Sequence, residues 1–295
     1  MLNQKRLKIL ISFIFSISAF SNIPNLQTTR LKSTGGAGVG SVLLDEAILL
    51  NPAPLAFYRA GSIYLQQTGS EVTNAQDPYS SFDSKSYNFI ASDTKGSISG
   101  SLGYSKQRFN KSERKRFSTA TAKAVGKKSS LGLSYWNTKE KIIDQNGSLT
   151  TTKYNQFSLG FFHSISQSLS MGILFVDPLK EREEETRAIV GFQYVYKDMV
   201  SLMLDAGADY NEDLSESFLV RAATQLKIYN DFFLRVGVFK DEGLKTNGNG
   251  IGIGWVQPRL LLEFAFNNTK YENVSFFNTS EQTLKETSLS LAYRF

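Results

Sequence analysis

The sequence ends in a stretch that decides the fold, KETSLSLAYRF (Lys285–Phe295), in which two kinds of residue alternate. The side chains of one set are Thr287, Leu289, Leu291, Tyr293 and Phe295, and those of the other are Ser288, Ser290, Ala292 and Arg294. A period of two places the two sets on opposite faces of a β-strand. Because the last residues of a domain usually fray, an apolar face that continues to the final residue needs a pairing partner. We expect this strand to be paired on both sides, as in a sheet that closes on itself.

The same alternation recurs from about residue 60 to the end of the chain. Segments such as GSIYLQQTG (61–69) and RLLLEFAFNN (259–268) alternate apolar and polar residues and are separated by turn residues. Fourteen such segments can be counted, and none has a helical period. The predicted fold class is all-β, an antiparallel β-barrel of about 14 strands over residues 61–295.

The segments between the predicted strands alternate between long and short. KQRFNKSERKR (106–116) and KEKIIDQNGSL (139–149) are long, whereas GKKS (126–129) and QP (257–258) are short. A secreted β-sandwich or solenoid would also show alternating strands, but not this alternation of loops. Outer-membrane barrels have short periplasmic turns and longer outer loops, so we predict a transmembrane barrel in the outer membrane of a Gram-negative cell.

The chemical character of the last strand also suggests partners. The series Leu291, Tyr293 and Phe295 resembles the C-terminal signal that the bacterial barrel assembly machinery recognises. The expected partners are this machinery, outer-membrane lipid and lipopolysaccharide. The basic stretch 106–116 has the pattern of a solvated charged loop, and it is also a candidate for contact with lipopolysaccharide phosphates, since the two interpretations are compatible.

The first residues have the pattern of a signal peptide. Lys5, Arg6 and Lys8 precede the apolar stretch 9–20, and Ala19-Phe20-Ser21 fits a cleavage site, so residues 1–21 are predicted to be removed. The apolar stretch is too short to cross a bilayer as a helix. Removal of the three cations lowers the formal charge from +6 to +3, and we expect no nucleic-acid partner.

Charged residues within the predicted strands share one face. If Phe295 faces outward, five charges face the lumen: Asp205, Arg221, Arg235, Glu263 and Arg294. Adjacent strands would let Asp205 pair with Arg221 and Glu263 with Arg294. These charges either cross-link the lumen or line a polar path, and the sequence leaves both interpretations open.

The segment 33–61, STGGAGVGSVLLDEAILLNPAPLAFYRAG, precedes the barrel. Ser41 is a candidate N-cap for a helix over 42–50 that Asn51-Pro52 would end. Such a helix is apolar on nearly every side, and a helix of this kind is normally buried. The available site is the lumen, so residues 22–60 are predicted to form a hatch.

The hatch sequence resembles that of the long-chain fatty-acid transporter (FadL-like) superfamily, which includes the PorV-like barrels of a secretion system. The matching residues are Gly36, Ala37, Gly38, Asp45, Ala47, Asn51, Pro52 and Ala53. The resemblance implies a fourteen-stranded barrel with an N-terminal hatch that acts as a passive conduit for small hydrophobic molecules. The PorV-like members imply the alternative of a non-transporting barrel that serves as a membrane partner in secretion or envelope organisation. Pro54 and the modest outer loops depart from the family pattern and leave the substrate open.

The composition gives little support to catalysis. The chain has no cysteine and one histidine, His163, near two serines at a predicted turn. A hydrolase would need a Ser/His/acid arrangement, so we expect no enzymatic activity, no cofactor and no metal site. A third possibility, a general diffusion pore, is disfavoured because water-filled barrels usually need about 16 strands.

Overall fold

The computed structural model describes residues 23–74, 82–109, 112–143, 148–210, 212–272 and 282–295. The predicted signal peptide lies outside these ranges. No helix among the described residues is long and apolar enough to cross a bilayer.

The described chain forms fourteen antiparallel strands joined in sequence order into a closed barrel. The strands are β1 (Gly61–Asn74), β2 (Phe82–Asp93), β3 (Ser99–Phe109), β4 (Ser112–Ala124), β5 (Ser129–Ile143), β6 (Leu149–Ser164), β7 (Leu169–Val176), β8 (Arg187–Tyr196), β9 (Val200–Ala208), β10 (Leu219–Tyr229), β11 (Phe232–Asp241), β12 (Thr246–Val256), β13 (Leu260–Tyr271) and β14 (Gln282–Arg294). The predicted barrel and its strand number are confirmed.

The barrel closes where the terminal strand pairs with the first. β14 pairs with β1 from Ser62–Arg294 to Asn74–Gln282. Beyond the strand, Phe295 N donates to Gly61 O at 3.0 Å, and Gly61 N donates to Phe295 O at 2.9 Å. We call the end of the barrel that holds Gly61 and Phe295 the lower rim, and the opposite end the upper rim. The expectation that the last strand is paired on both sides is confirmed.

The two faces of the wall follow the predicted parity. Leu289 and Val238 are 56% and 53% exposed on the outer face, whereas Asp205, on the inner face, is fully buried. The outer face therefore carries a band of exposed apolar side chains, and polar side chains point into the lumen.

One of the predicted long loops does not exist. β3 and β4 extend through most of the stretch 106–116 and pair as far as Phe109 and Ser112. This upper connection is shorter than the lower turn between β4 and β5, so long and short connections do not alternate without exception. The polar residues of this stretch lie above the apolar band and still form paired β-strands. The sequence pattern alone does not reveal this pairing.

The lumen holds the chain that precedes β1. It contains helix α1 (Thr29–Ser33) and a 3₁₀ helix over Ala53–Phe57. The helix predicted over 42–50 is wrong, because these residues run through bends and turns. The upper connections add a 3₁₀ turn (Glu183–Glu185) and helix α2 (Leu214–Ser217).

Candidate functional site in the plugged barrel lumen

The segment 23–60, which we call the plug, is held to the wall through its backbone. Asp205 on β9 accepts hydrogen bonds from Gly38 N at 2.9 Å and Val39 N at 3.2 Å. Arg221 lies opposite Asp205 on β10 and donates to Gly36 O at 3.2 Å. The predicted neighbours Asp205 and Arg221 thus come together, and both contact the glycine turn of the plug. Because a backbone N–H has one direction and one acceptor, these bonds fix the position of the turn.

Asn51 is the second anchor of the plug. Its side-chain nitrogen donates to Val39 O at 2.9 Å and to Phe161 O of the wall at 3.1 Å. Its side-chain oxygen accepts from Ala53 N at 3.1 Å, where Pro52 leads into the 3₁₀ helix. Asn51 therefore ties two parts of the plug to each other and to β6, and an aliphatic residue there would leave three buried backbone groups without this partner.

Glycines on the inner wall let the plug backbone approach closely. A Cβ at Gly132 would lie 2.5 Å from Ala53 N, and one at Gly252 would lie 2.6 Å from the Cβ of Ser33. Inner glycines of this kind lie on six strands and include Gly132, Gly160, Gly172, Gly191, Gly237, Gly250 and Gly252; we call them the glycine belt. At the glycine belt, the plug packs directly on wall backbone that carries no side chain.

The lower half of the lumen contains a buried group of charges. Glu263 pairs with Arg235 at 3.0 Å and with Arg30 of α1 at 3.5 Å. Arg294 instead lies 3.7 Å from Asp45, which also accepts from Ser62 Oγ at 2.6 Å. The predicted pairing of Glu263 with Arg294 is wrong, because Glu263 lies opposite Ser290 in the β13–β14 register. Each of these wall charges therefore has an ionic partner in the plug or on the wall.

The upper half of the lumen is crossed by a second ionic network. Glu140 binds Arg114 and also pairs with Arg182 of the β7–β8 connection at 3.3 Å. Glu185, in the same connection, lies 3.7 Å from Arg116. Although burial opposes ionisation of Glu185, the Arg116 and Arg114 guanidiniums hold its pKa below the usual value. The connection is therefore held over the lumen by charge pairs.

Between this network and the plug lies an upper cavity of about 300 Å³. Its apolar side chains include Ile23, Phe109, Phe239, Tyr271 and Leu284, and its polar ones include Arg114, Arg182, Glu185, Arg221, Asp241 and Glu286. The volume is at the small end of the range for ligand sites. Such a lining can accept a small apolar molecule and also leaves hydrogen-bonding groups at its edge.

A lower cavity of about 200 Å³ lies on the other side of the plug, with Arg30, Tyr58, Gln193 and Arg294 among its lining residues. Gly35 lines the upper cavity and Thr34 lines the lower one, so the two cavities approach each other at this part of the plug. Helix α1 and the turn that follows it thus form part of the barrier between the two ends of the lumen. Lys32 of α1 is anchored to Glu286 at 2.8 Å.

Several residues of the site were not identified from the sequence. Trp136 donates to Ile48 O at 3.1 Å, and Ser130 donates to Ala53 O at 2.7 Å. Both lie at inward positions of β5, so the strand parity would have placed them in the lumen, but nothing in the sequence says which inward residues touch the plug. Arg30 lies before the hatch motif of Gly36 to Ala53, so the motif does not identify it.

His163 lies away from the lumen. Its Nδ1 atom is 2.8 Å from Ser129 Oγ at the lower ends of β5 and β6. The parity of β6 places it on the outer face with Leu159, which is exposed. This pair is separate from both cavities.

A closed fourteen-stranded barrel with its N-terminal chain folded inside defines the class of plugged β-barrels. Its fold is that of the FadL-type channels. The chain is similar to the monoaromatic hydrocarbon channel CymD (TM-score 0.72, 11% identity, 93% of this chain and 99% of the other). It is also similar to a FadL homologue of Pseudomonas aeruginosa (TM-score 0.69, 12% identity, 93% and 99%). The toluene transporter TbuX of Ralstonia pickettii gives a TM-score of 0.71 at 10% identity, over 92% and 99% of the two chains.

The fold resemblance expected from the hatch residues is confirmed by these structures. At this level of identity the comparison establishes the fold alone. No protein-family model and no curated protein matches the sequence.

Proposed function

We propose that the protein is an outer-membrane barrel that conducts small hydrophobic molecules passively from the cell exterior to the periplasm. The outer-membrane setting is supported by the exposed apolar band of the wall, which includes Leu204, Val238, Ile251 and Leu289. Such a band is stable only when lipid covers it. The lower rim, with both ends of the wall, then faces the periplasm.

One observation carries the transport proposal: the upper and lower cavities are lined by adjacent residues of the plug, Gly35 and Thr34, in the turn that follows α1. The upper cavity offers Phe109, Phe239 and Tyr271 to a ligand. Gly35 and Gly36 have positive φ angles of 60° and 80°, which glycine adopts at little cost. A displacement of this turn would join the two cavities without any change in the wall.

The substrate class follows from the size and lining of the upper cavity. A volume of about 300 Å³ suits a molecule of one ring better than a long acyl chain. The names of the structural neighbours, a monoaromatic hydrocarbon channel and a toluene transporter, point to the same class.

A disulfide tether tests whether passage requires α1 to move. Thr29 Oγ1 of α1 lies 2.8 Å from Ser288 Oγ of β14, and the chain has no natural cysteine to interfere. The double variant T29C/S288C should therefore lock α1 to the wall when oxidised. The matched control S92C/S101C joins two wall strands whose hydroxyl oxygens are 2.9 Å apart.

The measurement is uptake of radiolabelled toluene by Gram-negative cells that express each variant, with and without dithiothreitol. Oxidised T29C/S288C should lose the uptake that exceeds that of cells without the protein, and reduction should restore it. The control should transport in both states. Equal uptake by oxidised and reduced T29C/S288C would show that the passage does not run through α1.

The second candidate function is a non-transporting barrel that acts as a membrane partner for other proteins. It is favoured by the filled lumen, in which the Glu140 and Glu263 networks close the upper and lower halves. If the unmodified protein assembles in the outer membrane but does not raise uptake of any small hydrophobic probe, this second function is the better description.

A further inference from the structure

The outer face of β3–β6 carries a row of lysines at neighbouring positions. The Lys106–Lys115, Lys115–Lys139 and Lys139–Lys153 pairs are each directly opposite across adjacent strands. We call these four residues the lysine ladder. Neighbouring strands are about 4.8 Å apart, so the ladder extends over about 14 Å. Like charges directly opposite each other in a sheet are destabilising.

The ladder has too few anionic neighbours in the described chain. Glu113 is shared by Lys106 at 3.2 Å and Lys115 at 3.1 Å, and it also lies 3.6 Å from Arg108. No carboxylate within the described ranges pairs with Lys139 or Lys153, and both side chains are exposed. Lys141 lies opposite Glu113 and adds a further cation. Among the side chains that the structure describes here, six cations thus share one carboxylate, and the patch can accept anions from outside the chain.

The position of the ladder on the wall indicates where those anions lie. Two residues below it on the same face, Tyr104 and Phe117 are opposite each other and exposed. Aromatic side chains of outer-membrane barrels collect at the level of the lipid headgroups. The lysines therefore lie at the height of the headgroups, on the side of the upper rim.

Below the aromatic pair, the outer wall has an apolar groove of about 560 Å³, which extends from Leu102 and Tyr135 down to Phe295 at the lower rim. It lies where the small side chains Ala91 and Thr119 separate Ile63, Leu102 and Tyr135. Leu102 is four residues below Lys106 on β3, which is about 13 Å along the strand. The wall thus presents cations near the upper rim and, beginning about 13 Å below them along the strand, an apolar groove that an acyl chain can enter from above.

We propose that this surface binds a phosphorylated glycolipid of the lipid A type, with its phosphates on the lysine ladder and an acyl chain in the groove. The length of the ladder exceeds what one phosphate can contact and matches a headgroup with two. Tyr135 and Asn137 both donate to Asn155 Oδ1, at 2.8 and 2.7 Å, so a polar cluster that can contact sugar hydroxyls lies beside the ladder. This inference rests on the outer-membrane setting of the proposed function but not on transport.

Binding to the purified barrel in detergent tests the proposal. The variant K115Q/K139Q removes two charges from the centre of the ladder. The control K123Q/K227Q removes two exposed lysines near the lower rim and changes the net charge equally. Native mass spectrometry would measure the affinity for lipid A, dephosphorylated lipid A, cardiolipin and inorganic phosphate.

We expect K115Q/K139Q to bind lipid A about tenfold or more weakly than the parent, since charge-assisted hydrogen bonds are among the stronger polar contacts. The control should bind as the parent does, and the parent should bind dephosphorylated lipid A as weakly as the ladder variant binds lipid A. Equal effects of both double variants, or equal binding of both forms of lipid A, would overturn the proposal. Tighter binding of cardiolipin or of inorganic phosphate would do so as well.

The thermal unfolding temperature provides a second measurement. The difference between K115Q/K139Q and the parent should reverse when lipid A is added. In detergent without lipid, K115Q/K139Q should unfold at the same temperature as the parent or above it, because repulsion is relieved. With lipid A, it should unfold below the parent. A lower unfolding temperature in both conditions would mean that the lysines stabilise the wall directly. Loss of lipid A binding selectivity with normal toluene uptake would contradict this inference alone and leave the transport proposal in place.

Discussion

Replacement of Gly132 by alanine should unseat the plug while the wall stays closed. The new Cβ would lie 2.5 Å from Ala53 N, 2.6 Å from Pro52 C and 2.8 Å from Ala53 Cα. Ordinary contacts begin near 3.4 Å, so wall and plug must separate by roughly 0.9 Å. All three neighbours are backbone atoms, so no side-chain rotamer can relieve the contact.

Overpacking of this kind costs about 1–3 kcal/mol. Because β5 is paired along its whole length with β4 and β6, the plug should yield before the wall does. The cost then shifts the equilibrium between seated and unseated plug by roughly 5- to 150-fold. An unseated plug exposes polar inner wall that water can wet.

Single-channel conductance in planar bilayers measures the unseated fraction. Gly132→Ala should show openings that are rare in the parent, and its folded form should still migrate faster than the heated form on gels. Gly69→Ala is the matched control, because no atom lies within 4 Å of the added Cβ. If the two variants conduct alike, close contact with the glycine belt does not seal the lumen, and the argument from Gly132 fails.

Two further changes test the barrel closure and the plug anchor. Deleting Phe295 should reduce the amount of folded protein in the outer membrane far more than Phe295→Tyr, because it removes the backbone pair with Gly61 and the terminal aromatic ring; equal amounts on heat-modifiability gels would count against this. Asp205→Ala should speed hydrogen exchange at the Gly38 and Val39 amides by roughly tenfold or more, since an unpaired buried N–H costs about 1–3 kcal/mol. Asp205→Asn keeps one acceptor and should be intermediate, so unchanged exchange in the alanine variant would remove Asp205 as an anchor.

The wall could be predicted from the sequence because its signal is local. Alternation with period two gave the inward position of Asp205 and Glu263 and the outward position of Leu289, and each is observed. The pairing of β14 with β1 could be predicted because an apolar strand that continues to Phe295 needs a neighbouring strand on each side. These inferences need only the pleat of a strand and its neighbours.

The plug could not be predicted in the same way. Residues 42–50 are apolar on most sides because the wall surrounds them. The same run of apolar residues is typical of a buried helix, so the sequence alone does not distinguish the two structures. A single turn forms there, in which Leu49 N and Leu50 N both donate to Glu46 O, but Ile48 O accepts instead from Trp136 on the wall. The partner of Glu263 was also missed, since it depends on Arg30 and on a register that the sequence does not contain.

The path of the plug imposes an order on biogenesis. Ile23 packs against Val72 and Leu284 near the upper rim, whereas Ala60 joins β1 at the lower rim. The plug therefore passes through the barrel from one rim to the other. In the described part of the barrel, the Glu140 network and the close contacts with the glycine belt obstruct the path by which the plug could enter after closure. We therefore expect the barrel to close around the plug, with the pairing of β1 and β14 as the last step. A misplaced plug would hold β1 and β14 apart. Barrel closure would then depend on correct placement of the plug.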